Sequence, residues 1–215
     1  MASERPALAS DRRKDRVRAS HDTRQRLEIR LRPGLPAGHR GRVLIRRETE
    51  RDVDPIRAVT AAAFARGRPP GQIPPEAPLI DELRAGPAWL PALSLVAVTP
   101  AGEVIGHVLG TRGHVGRDPV LALGPLAVRP DRQRQGVGSA LMHAVLGAAD
   151  ALGEPLAALL GDPAYYRRFG FELSSVYQIT PPVPHWQPHF QVRLLSAYHP
   201  RLRGPFTYPE PFDRT

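Results

Sequence analysis

The sequence predicts a mixed α/β fold: a mostly antiparallel sheet with a bulged central strand and helices on its flanks. Three observations carry that expectation. Residues 94–99 and 103–111 are apolar, β-branched runs joined by Pro100-Ala101-Gly102, which is a hairpin signal. A third apolar run, 120–128, leads through a glycine-rich turn into a helical pattern and then a short apolar run at 156–160, one strand–helix–strand crossover. Gly124-Pro125 interrupts the third run, and a proline inside a strand removes a ladder donor, so this strand is expected to bulge or splay.

The remaining elements follow in order. Pro33, Gly34, Pro36 and Gly38 break the chain before Arg42, so the folded domain is expected over 41–215. Val43 and Ile45 among their neighbouring arginines read as a first strand. Asp54-Pro55 supplies a helix cap and a first-turn proline, with Asp52 as the alternative cap. Ile56, Val59, Ala63 and Phe64 then recur at spacings of three and four, which is helical. Residues 67–78, with Pro69, Pro70, Gly71, Pro74, Pro75 and Pro78, read as irregular, and a short helix at 79–84 stops at Gly86-Pro87. After the three strands, residues 136–152 put Leu141, Met142, Val145, Leu146, Ala149 and Leu152 on one helical face, closed by Gly153. Residues 156–160 form a buried strand, and Asp162-Pro163 caps a helix of one or two turns that ends at Gly170. Strands at 171–179 and 190–195, separated by a proline-rich loop, complete the sheet. There is no internal repeat.

Composition narrows the function classes. The chain has 215 residues, enough for one domain with a sizeable core. It has no cysteine, which excludes disulfides, thiolate metal sites and a cysteine nucleophile, and fits a reducing compartment. No apolar run is long enough to span a bilayer and the first residues lack a secretory pattern, so the expected location is cytoplasmic with no membrane partner. The formal net charge is +9. Residues 1–40 hold eleven basic and five acidic side chains, so most of the surplus sits there. Their composition builds no core, and they are expected to be a basic, disordered extension. Nucleic acid is disfavoured as a partner, because those residues include no aromatic to interleave with the charge. The eight histidines show no close metal-ligand spacing, and no metal is expected.

The chemistry is concentrated at 121–171. An apolar strand runs into a basic, glycine-bearing turn and then a helix start. Gly136 and Gly138 remove side chains where the backbone must turn and approach a ligand. Free amides of the first helical turn, the helix dipole and the charges of Arg132 and Arg134 suit a phosphate or pyrophosphate. No Gly-Lys-Ser/Thr ending is present, so this is not a nucleoside-triphosphate loop, and the third glycine of a dinucleotide fingerprint is missing.

Gln133-x-x-Gly136-x-Gly138 resembles the Gln/Arg-x-x-Gly-x-Gly/Ala signature of the GNAT superfamily of N-acetyltransferases. About thirty residues later, Tyr166-Arg-Arg-Phe-Gly170-Phe171 is similar to the Tyr-x-x-x-Gly-Phe element of the same superfamily, and the string from Gly161 to Phe171 looks most like its YhbS-like branch. The resemblance covers roughly residues 42–212. It implies a GNAT-like sheet with the bulged central strand, and transfer of acetyl from acetyl-CoA, as co-substrate, directly to a primary amine on a small molecule or peptide. A homodimer is compatible with it. It further implies that backbone groups of Leu126, Ala127 and Val128 hold the pantetheine arm, with a strand amide near Val128 at the oxyanion. Gln133, Arg134, Gln135, Gly136, Val137, Gly138 and Ser139 would hold the pyrophosphate. Tyr166 matches the general acid; a phenol is protonated at neutral pH and can donate. Tyr165 is expected to face elsewhere. His107, Glu76 and Glu82 are candidates for the base, beside a water chain. Acceptor specificity is expected in the loops at 66–78 and 181–188. The alternative from another class is a GNAT-like module that binds acyl-CoA as a sensor without transferring it.

Overall fold

The computed structural model describes residues 27–29, 43–69 and 71–214. The expectation of a disordered extension therefore falls, apart from residues 27–29, outside the described residues. Strands β1 (Leu27–Ile29), β2 (Val43–Arg47), β3 (Trp89–Val98), β4 (Val104–Val115), β5 (Asp118–Val128), β6 (Leu156–Leu160), β7 (Glu172–Leu173), β8 (Ile179–Thr180), β9 (Phe190–Leu194) and β10 (Gly204–Thr207) are joined with helices α1 (Val53–Phe64), α2 (Glu76–Ala85), α3 (Val137–Ala151) and α4 (Pro163–Tyr166). The sheet order is β1-β2-β3-β4-β5-β6-β9-β7, and β10 pairs with the end of β4 and with β8. Along that path only β5–β6 is parallel, joined by the crossover helix α3.

Helices cover both faces. On one, Leu141, Met142, Val145, Leu146 and Ala149 of α3 pack against Ile45, Leu95, Val108 and Leu121. On the other, Ile56 and Val59 of α1 and Leu79, Ile80 and Leu83 of α2 pack against Val96, Val98 and Leu109. A third cluster joins Val120, Ala122, Leu156 and Ala158 to Ile179, Phe190, Val192 and Phe206 of the C-terminal segments.

Several boundaries differ from the sequence expectation, each for a local reason. β1 lies before residue 41 and pairs antiparallel with β2; its three residues carry too short a pattern to read within a charged stretch. Asp52, the alternative cap, is the residue that precedes α1, and its carboxylate is occupied by Arg46 at 2.6 and 2.9 Å and by Thr49. α2 begins three residues early, because Pro78 falls in its first turn, where no backbone N–H is needed. Leu152 is 55% exposed, being the residue just past the end of α3. The strand expected at 171–179 is two short strands separated by a 3-10 turn at Ser174–Tyr177, with Gln178 at φ 56. β10 was not foreseen at all: Gly204-Pro205-Phe206-Thr207 offers one buried apolar side chain and no alternation.

α3 reaches the sheet over Gly106. A Cβ there would lie 3.0 Å from Leu141 Cδ1, 3.1 Å from Val137 Cγ1 and 3.2 Å from the Ala127 carbonyl oxygen. Gly106→Val should therefore push α3 from the sheet and cost about 1–3 kcal/mol, the range for overpacking a core, read as a lowered midpoint in thermal unfolding.

Candidate active site

The site begins with a mismatch in strand pairing. β4 and β5 pair with Val108 opposite Leu126 but Gly110 opposite Leu123, so two residues of β5, Gly124 and Pro125, face the single residue Leu109. That is the bulge expected from the proline. β5 pairs with β6 only at Leu121–Ala157 and Ala122–Ala158. Beyond those pairs β5 continues to Val128 while β6 stays with β9, as far as Leu160 opposite Phe190. A gap opens between the two parallel strands.

The alternation of the ladder decides which backbone groups enter the gap. Arg129 N–H bonds the Ile105 carbonyl at 3.0 Å, in register with the Ala127–His107 pair two residues back. Antiparallel pairs alternate between bonded and unbonded, so Ala127 is tied to β4 while the N–H and C=O groups of Leu126 and Val128 turn toward the gap. The expectation that all three residues present free backbone groups is corrected to two of them, and of these the Val128 carbonyl already accepts from Gln133. The side chains divide likewise: Leu126 and Val128 lie on the α3 face, and Ala127 on the α1–α2 face.

The glycine loop stands at the mouth of the gap. Arg134 at φ 59 and Gly136 at φ 89 are both left-handed, a backbone that turns successive N–H groups toward one concavity. The first bond inside α3 runs from Ala140 N–H to the Gly136 carbonyl at 2.9 Å, and no side chain caps the helix. The N–H groups of Val137, Gly138 and Ser139 precede that bond. Gln133 donates to the Val128 carbonyl at 3.0 Å and Gln135 to the Asp131 carbonyl at 2.8 Å. These two side chains fasten the loop. Arg134 is exposed and, among the described residues, has no carboxylate within ion-pair distance.

Two tyrosines of α4 cover the gap from above. Asp162 caps this short helix by accepting from Ala164 N–H at 2.8 Å, and the chain turns away at Gly170, φ 79. Tyr166 lies against the Gly161 backbone, where a Cβ would be 2.4 Å from its ring, and edge-on to Phe171 at 5.9 Å. Burial, then the neighbouring Tyr165, push its phenol up to about 12. Tyr165 corrects the expectation that it faces elsewhere. Its hydroxyl lies 2.9 Å from where a Gly138 Cβ would stand, with Val128 Cγ2 at 3.5 Å and Leu126 Cδ2 at 4.0 Å from the same point, and it hydrogen-bonds Ser139. The structure thus brings Leu126, Val128, Gly138, Ser139 and Tyr165 to one place, with the Tyr166 ring edge-on to Tyr165 at 4.9 Å. Tyr208, which no sequence signal singled out, has its phenol pushed up by burial first and then by the nearby Tyr166.

The three candidates for the base are scattered. Glu76 pairs with Arg68 at 3.5 Å, and Glu82 is exposed on α2. His107 is 0% exposed on β4, in a buried polar cluster that sequence reasoning missed apart from the histidine itself. Its Nε2 lies 2.9 Å from Ser94 Oγ and 3.4 Å from Glu48 Oε2; Ser94 donates to Glu48, and Arg84 Nε donates to Glu48 at 2.8 Å. Burial alone would raise the Glu48 carboxyl, but the bonds from His107, Arg84 and Ser94 outweigh it and hold the group at about 2. Burial lowers the proton affinity of His107, with Glu48 opposing.

Comparison with known proteins gives this geometry a setting. Residues 92–173 match the acetyltransferase (GNAT) domain. The curated protein YhbS of Escherichia coli K12, described as an uncharacterized N-acetyltransferase, is 34% identical over 142 residues, which cover 65% of this chain and 84% of YhbS. The crystal structure of E. coli YhbS in complex with CoA superposes with a TM-score of 0.73 at 30% identity, covering 84% of this chain and 96% of that one. A GNAT family acetyltransferase from Brucella melitensis, solved with acetyl-CoA, gives a TM-score of 0.64 at 33% identity, covering 80% and 98%.

The buried cluster makes stability acid-sensitive in two steps. His107 is neutral in the fold, so protonation below its ordinary value of 6.5 favours the unfolded chain. Glu48 is ionised in the fold, so its contribution is complete above 4.5 and is lost as pH falls toward 2. The thermal midpoint should fall from pH 6.5 downward and again below 4.5, and His107→Gln should remove the upper step only.

Proposed function

The chain belongs to the GNAT family of N-acetyltransferases, and from that premise we propose that it takes acetyl-CoA into the gap between β5 and β6 and transfers the acetyl group directly to a primary amine. The observation that carries the reading is the opening of β5 from β6 with the uncapped start of α3 at its mouth. The gap-facing groups of Leu126 and Val128 can pair with the amides of a pantetheine arm as a further strand would. Gly136 and the free N–H groups of Val137, Gly138 and Ser139, with the Arg134 charge and the hydroxyls of Ser139 and Tyr165, suit a pyrophosphate. The relatives solved with CoA and with acetyl-CoA support the same ligand here.

In the reaction the amine nitrogen attacks the thioester carbon, the carbonyl oxygen gains charge near the Val128 N–H, and the carbon–sulfur bond breaks. The departing sulfur takes a proton from Tyr166. Its phenol, held near 12, is fully protonated at neutral pH. The amine belongs to a small molecule or a peptide, met by the loops at 66–78 and 181–188. Trp186 of the second loop packs against Tyr208 at 6.3 Å, so this loop is joined to the neighbourhood of Tyr166.

Thiol release from acetyl-CoA across a panel of primary amines tests the reading, and a chain without cysteine contributes no background. Tight coenzyme binding with no release by any amine would favour the sensor, and no coenzyme binding would sink both. Tyr166→Phe should lower turnover roughly 10²-fold, within the range for acid catalysis, with the CoA dissociation constant unchanged. Gly138→Ala displaces the Tyr165 hydroxyl and should weaken CoA roughly tenfold by calorimetry, about the worth of one charge-assisted hydrogen bond.

A further inference from the structure

We propose that His107 is the base that takes the proton from the acceptor amine, receiving it at Nδ1 through one buried water. The inference rests on the transferase reading above. It starts from the protons in the buried cluster. Glu48 is ionised and can only accept, so the single hydroxyl proton of Ser94 goes to it. Ser94 Oγ then meets His107 Nε2 at 2.9 Å with a lone pair, and Nε2 must carry the proton. A neutral imidazole has one N–H, so Nδ1 is a bare lone pair. That atom is buried and has no hydrogen-bond partner. An unpartnered acceptor in a core is costly, and a water is the smallest group that satisfies it.

Position links this atom to the reaction. His107 is the bonded partner of Ala127 across the β4–β5 ladder, between the two residues whose backbone groups face the gap. Leu126, Val128, the glycine loop and both tyrosines lie on the α3 face, which is the side assigned to the coenzyme. Ala127 and His107 turn to the α1–α2 face, where Arg84 of α2 is among the charged groups that act on the ring. Thr60 Oγ1 on α1 is another buried polar atom without a hydrogen-bond partner. The charged groups around the ring are Glu48 after β2, Arg84 of α2 and Asp52 before α1, and across the ladder His107 pairs with Ala127 of β5.

The proton balance is complete. As nitrogen bonds to the acetyl carbon, its proton passes to the water, which gives one of its own to Nδ1. The imidazolium faces the Glu48 carboxylate through Nε2–H and Ser94. Sulfur leaves with the Tyr166 proton, and exchange with solvent resets both residues.

The test uses the full chain, acetyl-CoA and the best amine of the panel, with thiol release followed from pH 5.5 to 9. His107→Asn keeps an acceptor near Nδ1 but cannot take up a proton there. It should lower kcat roughly 10²-fold, leave the CoA dissociation constant unchanged, and remove an acidic limb that the native profile shows below pH 6.5. A variant with the native rate and limb would overturn the proposal while leaving the transferase intact. Nitrogen-15 spectra of the native chain, which need no variant to fold, should show the proton of His107 on Nε2; a proton on Nδ1 would overturn it. Coenzyme binding without release by any amine would remove the transferase reading and the base with it.

Discussion

β5 is asked to pair antiparallel with β4 along its length and parallel with β6, and it sustains the second pairing for only two residues. The extra residue at Gly124-Pro125 separates a half of β5 that belongs to both neighbours from a half that belongs to β4 alone. Much else depends on that separation. β6 is left to pair with β9 over all five of its residues, and its end carries α4 across the gap. α3, which must connect the two strands, begins where they have parted, so its unsatisfied N–H groups face the opening rather than a neighbouring strand. The bulge also shifts the ladder by one residue, and that shift decides that Leu126 and Val128, rather than Ala127, look into the gap.

The same strand sorts chemistry onto two faces. Apolar side chains of similar volume would hold the β3–β4 core as well as the Arg84–Glu48–Ser94–His107 cluster does, because burying charges costs about what their pairing returns. The exposed pairs of the chain, such as Arg57 with Asp54 and Asp81, contribute little and can be lost cheaply. A cluster that is both buried and joined by directional bonds is different. It fixes one tautomer of one imidazole, and it does so beside Ala127. The tyrosines of α4 pack instead against the cluster on the α3 face.

Local signals made much of this legible in the sequence. The hairpin, the crossover, the bulge at Gly124-Pro125 and the buried face of α3 rest on periodicity and on single residues with strong backbone preferences, and those act over a few neighbours. The pieces that were not legible are long-range. Glu48, Ser94 and His107 are spread over sixty residues and come together only through strand register. Tyr208 reaches Tyr166 because β10 folds back to the end of β4. Tyr165 was misread for a related reason: its partner, Gly138, lies in another motif. Gln133 and Gln135 were legible as motif positions, but their side chains are used to fasten the loop.

Adjacent residues on a helix point about 100° apart, so Tyr165 and Tyr166 cannot do the same work. Each fills space left by a missing Cβ: the Tyr165 hydroxyl lies where a side chain on Gly138 would begin, and the Tyr166 ring where one on Gly161 would. The glycine loop and the tyrosine segment, which read as two motifs some thirty residues apart, are therefore one packing unit. A side chain at position 138 disturbs a tyrosine on α4, and a bulkier group on α4 disturbs the turn that opens α3. Their spacing along the chain is the length of α3 plus β6, the length needed to carry the chain from one side of the gap to the other. A glycine turn without the tyrosines would lack its cover, and the tyrosines without the turn would lack the space they occupy.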